Sequence, residues 1–167
     1  VTRGAFLAGK ACGVTVVLGL FCATLTAALL ALLVWRGDAG VRPFDLALAG
    51  LLQAVKLGVL AALTLALATL CRTALLTALL AFLVWAICQL QPVLAEVAAG
   101  IDTPAGRWLA TAGVACVPDF QAFETTAVLA AGASPDPVAA AGLVSYGTGY
   151  ILASWAVAAA VFSRREL

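Results

Sequence analysis

From Ala11 to Trp35 the chain runs without a single charged residue. About 20 apolar residues in a helix are enough to cross the roughly 30 Å hydrocarbon core of a bilayer, so this run is long enough to span with margin. Three more apolar stretches follow, at approximately 44–70, 73–90 and 138–162. Asp45, Gln53 and Lys56 interrupt the second, and the third is near the lower length limit. The stretches are continuous and rich in leucine and alanine, without the alternation of barrel strands, and in lipid only helices or closed barrels satisfy the backbone. The expected fold is therefore all-α: a polytopic transmembrane helical bundle in one domain covering 1–167, with about four spans.

Composition agrees. Hydrophobic residues make up 65% of the chain and charged residues 10%, against about 45–50% and about 25% in soluble domains. A water-soluble core of this size cannot hide that excess. The net charge of +1 argues for neither nucleic-acid binding nor a polybasic membrane patch, and no nucleic-acid partner is expected. There is no histidine, which removes the commonest general base and the commonest metal ligand. The five cysteines form no CxxC pair, and no nucleophile–base pair or carboxylate dyad emerges. We expect no enzyme chemistry, no cofactor and no metal site. The chain opens at Val1 and has no methionine, so a missing N-terminal part is expected.

Punctuation marks the span ends. Arg36-Gly37-Asp38-Ala39-Gly40 closes the first span and Pro43 opens the second. Cys71-Arg72 is a short turn, Pro92 follows the third span, and Pro135-Asp136-Pro137 introduces the last. Trp35, Trp85 and Trp155 lie at span ends or in the last third of spans, as in an aromatic belt. The segment at approximately 91–137 mixes acids with apolar runs too short to cross. It reads as short interfacial or re-entrant helices broken at Pro104, Pro118 and Pro135. A fifth, irregular span through Trp108–Val117 is the alternative, and Asp119 and Glu124 argue against it. Four spans put both chain ends on one side with Arg3, Lys10, Arg72, Arg164 and Arg165. The positive-inside rule makes that side cytoplasmic, in the cell (inner) membrane.

Several residues attract attention. Gly4 to Lys10 matches the start of a phosphate-binding loop, but Ala11 replaces the hydroxyl residue and no strand precedes it. A membrane-proximal basic segment accounts for it better. Lys56 is the charge set well inside a span, at a cost of roughly 2.5–3.5 kcal/mol on insertion scales. With Gln53 three residues earlier it forms a possible polar pathway face; alternatively a tilted span lets it reach an interface. Pro118, Asp119, Phe120 and Phe123 make either an outer gate or an interfacial turn anchored by its aromatics. Gly9 and Gly13, and Gly142, Ser145 and Gly149, are small-residue faces expected to pack within the chain.

Three segments together resemble type 2 ABC exporter permeases. Val1-Thr2-Arg3-Gly4-Ala5-Phe6-Leu7-Ala8-Gly9-Lys10 is similar to the cytoplasmic lead into their third span. Val117-Pro118-Asp119-Phe120-Gln121-Ala122-Phe123 resembles the stretch before their last span, with Asp119 where asparagine is frequent. Ala160-Val161-Phe162-Ser163-Arg164-Arg165-Glu166-Leu167 resembles their C-terminus. The resemblance implies a six-span subunit of which spans three to six are present. It implies no nucleotide site in this chain, a cytoplasmic ATP-binding subunit as partner, and a second permease subunit. It also implies a re-entrant element around 118–123 and a coupling region near Arg3 and Lys10. A fragment of an ion-coupled secondary transporter, or a membrane assembly protein with no transport role, are the other readings; the first would need acids deep in the spans.

Overall fold

The computed structural model describes residues 3–36, 42–71, 73–125, 128–129, 131 and 133–164, with side chains described between 9 and 161. Six helices carry the described fold: α1 (Arg3–Arg36), α2 (Pro43–Leu70), α3 (Ala74–Gln89), α4 (Gln91–Ala99), α5 (Pro104–Ala115) and α6 (Pro137–Arg164). Among the described residues there is no strand.

Local chemistry sets the helix ends. Pro43 occupies the first turn of α2, where its missing N–H costs nothing, after Arg42 in an extended conformation. Cys71 closes α2 and is again extended. Thr73 caps α3, its hydroxyl accepting from the Leu76 N–H at 3.4 Å. Asp136 caps α6, accepting from the Val138 N–H at 3.0 Å, and Pro137 follows as the first helical residue.

The third apolar stretch forms α3 within a residue of its expected bounds, and it ends just before Pro92: α3 stops at Gln89, and α4 leaves it at 57°. The cause is Pro92, which cannot donate to the Cys88 carbonyl and whose ring crowds it. At 16 residues α3 is about 24 Å long, short of the hydrocarbon thickness. Three helices, α1, α2 and α6, are long and apolar enough to cross a membrane, and the bent α3–α4 pair makes a fourth if it counts as one span. The fold is that of a membrane-embedded α-helical bundle.

α2 is its centre, packed against α1, α3 and α6. α6 lies beside α2 in the same direction, with Ala140 near Leu52 and Ile151 near Gly58. α1 and α3 run opposite to α2. Gly147 of α6 lets the two central helices close up, because a Cβ there would overlap Val55 Cγ1. Gly50 of α2 receives Thr26 of α1 in the same way. The small-residue faces picked from the sequence do not make these contacts. A Cβ on Gly9, Gly13, Gly142 or Gly149 would meet nothing within 4 Å, and Ser145 is exposed. Abundance of small residues hides which one meets a neighbour; that depends on helix rotation.

This contrast gives an internal control. Gly147→Val should destabilise the bundle by about 1–3 kcal/mol, the usual cost of overpacking, whereas Gly149→Val should be near neutral. Unfolding midpoints of the two variants in detergent decide the matter; equal midpoints would remove Gly147 from the α2–α6 contact.

Candidate functional site

Lys56 sits at the middle of α2, about 20 Å along the helix from either end. It is 6% exposed, so it has not reached an interface. Its ammonium donates to Glu124 Oε1 at 2.6 Å, across 68 positions of sequence, and stands 5.7 Å from the centre of the Phe120 ring. A carboxylate and an aromatic face thus replace the water that the ammonium lacks. Glu124 is 48% exposed at its side chain, so the pair is closed on the lysine side and open on the glutamate side.

The loop that brings Glu124 there returns to mid-height. The Tyr150 hydroxyl, at the middle of α6, donates to the carbonyl of Ala115 at 2.9 Å and holds the end of α5 at that level. The Asp119 N–H then donates to the Tyr146 hydroxyl at 3.2 Å. Asp119 Oδ1 accepts from the N–H groups of Gln121 and Ala122, at 2.9 and 3.2 Å, which forms an Asx turn. That turn sends Phe120 and Phe123 into the protein on either side of Lys56. Phe120 is fully buried with Val59 and Cys88, and Phe123 with Leu52 and Ala140. Tyr146 and Tyr150 stack edge to face at 4.9 Å beside Phe123. Further along the chain the Ser134 hydroxyl donates to the buried Asp45 carboxylate at 2.8 Å, near the start of α2.

The broken third helix and this loop complete one another. The break at Pro92 leaves the carbonyls of Cys88 and Gln89 without helical partners. The Phe120 N–H donates to Cys88 O at 3.4 Å and the Gln121 side-chain amide to Gln89 O at 3.0 Å. Irregular backbone at membrane depth persists only where protein or a cavity re-satisfies it, and here the loop does so.

Of the residues singled out by sequence, Lys56, Pro118, Asp119, Phe120 and Phe123 meet in one place. Gln53 does not join them; it is exposed on α2. Lys10 is exposed on α1 and lines a separate cleft between α1, α2 and α6. Arg3 begins α1, and its side chain lies outside the described residues. Phe120 and Phe123 are packed inside protein rather than anchored on the outside of the bundle. Glu124, Tyr146 and Tyr150 were missed. A deep lysine signals that protein, water or an interface must answer it, and several loop acids were equally eligible as its partner. Among the described residues no three His, Cys, Asp or Glu side chains gather in a metal-binding group. No protein-family model, curated protein or solved structure matches this chain.

Proposed function

We propose that this chain is the membrane-spanning permease subunit of an ATP-driven exporter, energised by a separate cytoplasmic ATP-binding subunit and paired with a second permease subunit. The observation that carries the reading is the return of Pro118–Phe123 to the middle of α2 and α6, locked there on Lys56. A re-entrant element of this kind, before the last span, is what the resemblance implies for such permeases. It also gives the bundle a discrete part held by a few contacts, on which alternating access can act. Arg3 and Lys10 stand on the side where the partner ATPase would dock. ATP-driven closure of two ATPase subunits there would be transmitted through α1 to the spans.

One observation favours a second reading. A lysine–glutamate pair at mid-height is also the kind of group that couples ion movement to transport. The two readings separate in reconstituted vesicles. An ATPase gene is expected beside its own; co-expressed with that ATPase, the chain should co-purify with it and alter its turnover. Lys56→Met with Glu124→Gln, which removes the charges and keeps the bulk, should change that stimulation at least about fivefold, the lower range of coupling between sites. No co-purification and no effect on ATP turnover, with transport driven by an ion gradient instead, would replace the exporter by the ion-coupled transporter.

A further inference from the structure

A cleft of about 400 Å³ runs between α1, α2 and α6, bordered by Val14 and Leu18, Leu57 and Leu65, Ile151 and Trp155. Among the described residues of its lining, Lys10 is the one that carries a charge. Two threonines also line it, but the Thr15 hydroxyl donates to Ala11 O at 2.9 Å and the Thr64 hydroxyl to Leu60 O at 2.8 Å, so neither proton is left for a ligand. Among the described residues the cleft is therefore apolar along its length, with the Lys10 ammonium at one end. Because α1 and α2 are antiparallel, Lys10 lies opposite the end of α2 near Ala68, and Leu18 opposite Leu57. The α2 border from Leu57 to Ala68 is about 16 Å long, which matches one leaflet, half of a hydrocarbon core about 30 Å thick.

Size identifies what fits. At about 30 Å³ per methylene, close to a water molecule's share of the liquid, the cleft holds about thirteen carbons, one acyl chain. We propose that this cleft binds an anionic glycerophospholipid of the leaflet on Lys10's side, one acyl chain lying between α1, α2 and α6 and the phosphate on the Lys10 ammonium. The occupant commits to a lipid because the lining offers hydrocarbon contact over a leaflet's length and the positive charge of Lys10 at the headgroup end. The lipid would complete the packing of α1, whose other faces meet little protein. This inference does not depend on the exporter reading.

The test is native mass spectrometry of the full chain in detergent, titrated with phosphatidylglycerol and with phosphatidylcholine of identical acyl chains. The wild type should prefer phosphatidylglycerol about fivefold, the worth of one lysine at an anionic headgroup. Lys10→Gln should bring the ratio to one and leave phosphatidylcholine binding unchanged. Arg42→Gln, an exposed cation at the other end of the bundle, should keep the preference. Ala61→Leu and Ala68→Leu, which narrow the cleft, should each weaken both lipids, with unchanged melting in detergent certifying the fold of at least one. A preference that survives Lys10→Gln, or is lost equally in Arg42→Gln, overturns the proposal. So does lipid binding that both narrowing variants leave intact, or a dimer that expels the lipid and occupies the cleft itself.

Discussion

Glu124→Ala is expected to destabilise the folded chain by about 2–3 kcal/mol, more than a loop substitution of its exposure would suggest. The loss comes from the partner it abandons. Lys56 is buried at mid-helix, and stripping one member from a buried ion pair costs about 3–5 kcal/mol because the other charge stays unanswered. Glu124 is 48% exposed, so solvent screening places the value below that range. The diagnostic is the double variant. Lys56→Met removes the orphaned charge and keeps apolar bulk against Phe120, so Lys56→Met with Glu124→Ala should regain most of the loss. The coupling energy from the four unfolding midpoints in detergent should be near the single-variant loss. Additive losses would mean that the 2.6 Å contact carries no energy.

Phe120→Ala should be comparably severe, by a different route. In water-soluble cores a phenylalanine truncation costs about 3–5 kcal/mol. Within a membrane the transfer part shrinks, since lipid solvates the side chain of the unfolded helices as well as protein does. The cavity part remains: about 100 Å³ vacated at about 24 cal/mol per Å³ gives about 2 kcal/mol. Loss of the ring under the Lys56 ammonium adds about 1 kcal/mol. The two terms give about 3 kcal/mol. A second readout follows from position. Cys88 is buried beneath Phe120, while Cys12 and Cys116 are exposed. In the folded wild type a maleimide should spare Cys88; in Phe120→Ala the rate at Cys88 should rise several-fold. Phe82→Ala, an exposed ring on α3, should change neither stability nor that rate. Continued protection of Cys88 in the Phe120 variant would mean that the loop is held by other contacts.

The central device is a loop that mends a broken helix while neutralising a deep charge. Each half makes the other tolerable. Without the loop, Cys88 and Gln89 would present free carbonyls and Lys56 a bare ammonium in an apolar bundle. Without the break at Pro92, Phe120 would find no carbonyl to receive its N–H. Substitution at either half should therefore be felt at the other, which the double cycle and the Cys88 readout measure separately.

How much of this is legible in the residues follows from what acts locally. A run such as Ala11–Trp35 commits itself to a helix in lipid because its backbone must be satisfied within the segment and its side chains demand no particular neighbour. Pro43, Thr73 and Pro137 mark helix starts by their own stereochemistry, and Pro92 forecasts an ending after the third stretch. Lys56 declares itself a problem by its depth alone. The aromatic pair after Pro118 is also visible, though not the side on which the rings are buried.

The sequence by itself thus determined a membrane-embedded helical bundle, the bounds of α2, α3 and α6 to within two residues, and that a charge as deep as Lys56 must be either answered or carried to an interface. Only the tertiary structure decided that the partner is Glu124, that Gly147 rather than Gly142 or Gly149 is the close-packing glycine, and that the third stretch bends by 57° into α4. The physical reason is range. Helix formation in lipid is settled within a segment, whereas a contact across 68 positions depends on how far a loop returns and how each helix is rotated, and many acids and small residues satisfy the local rules equally well.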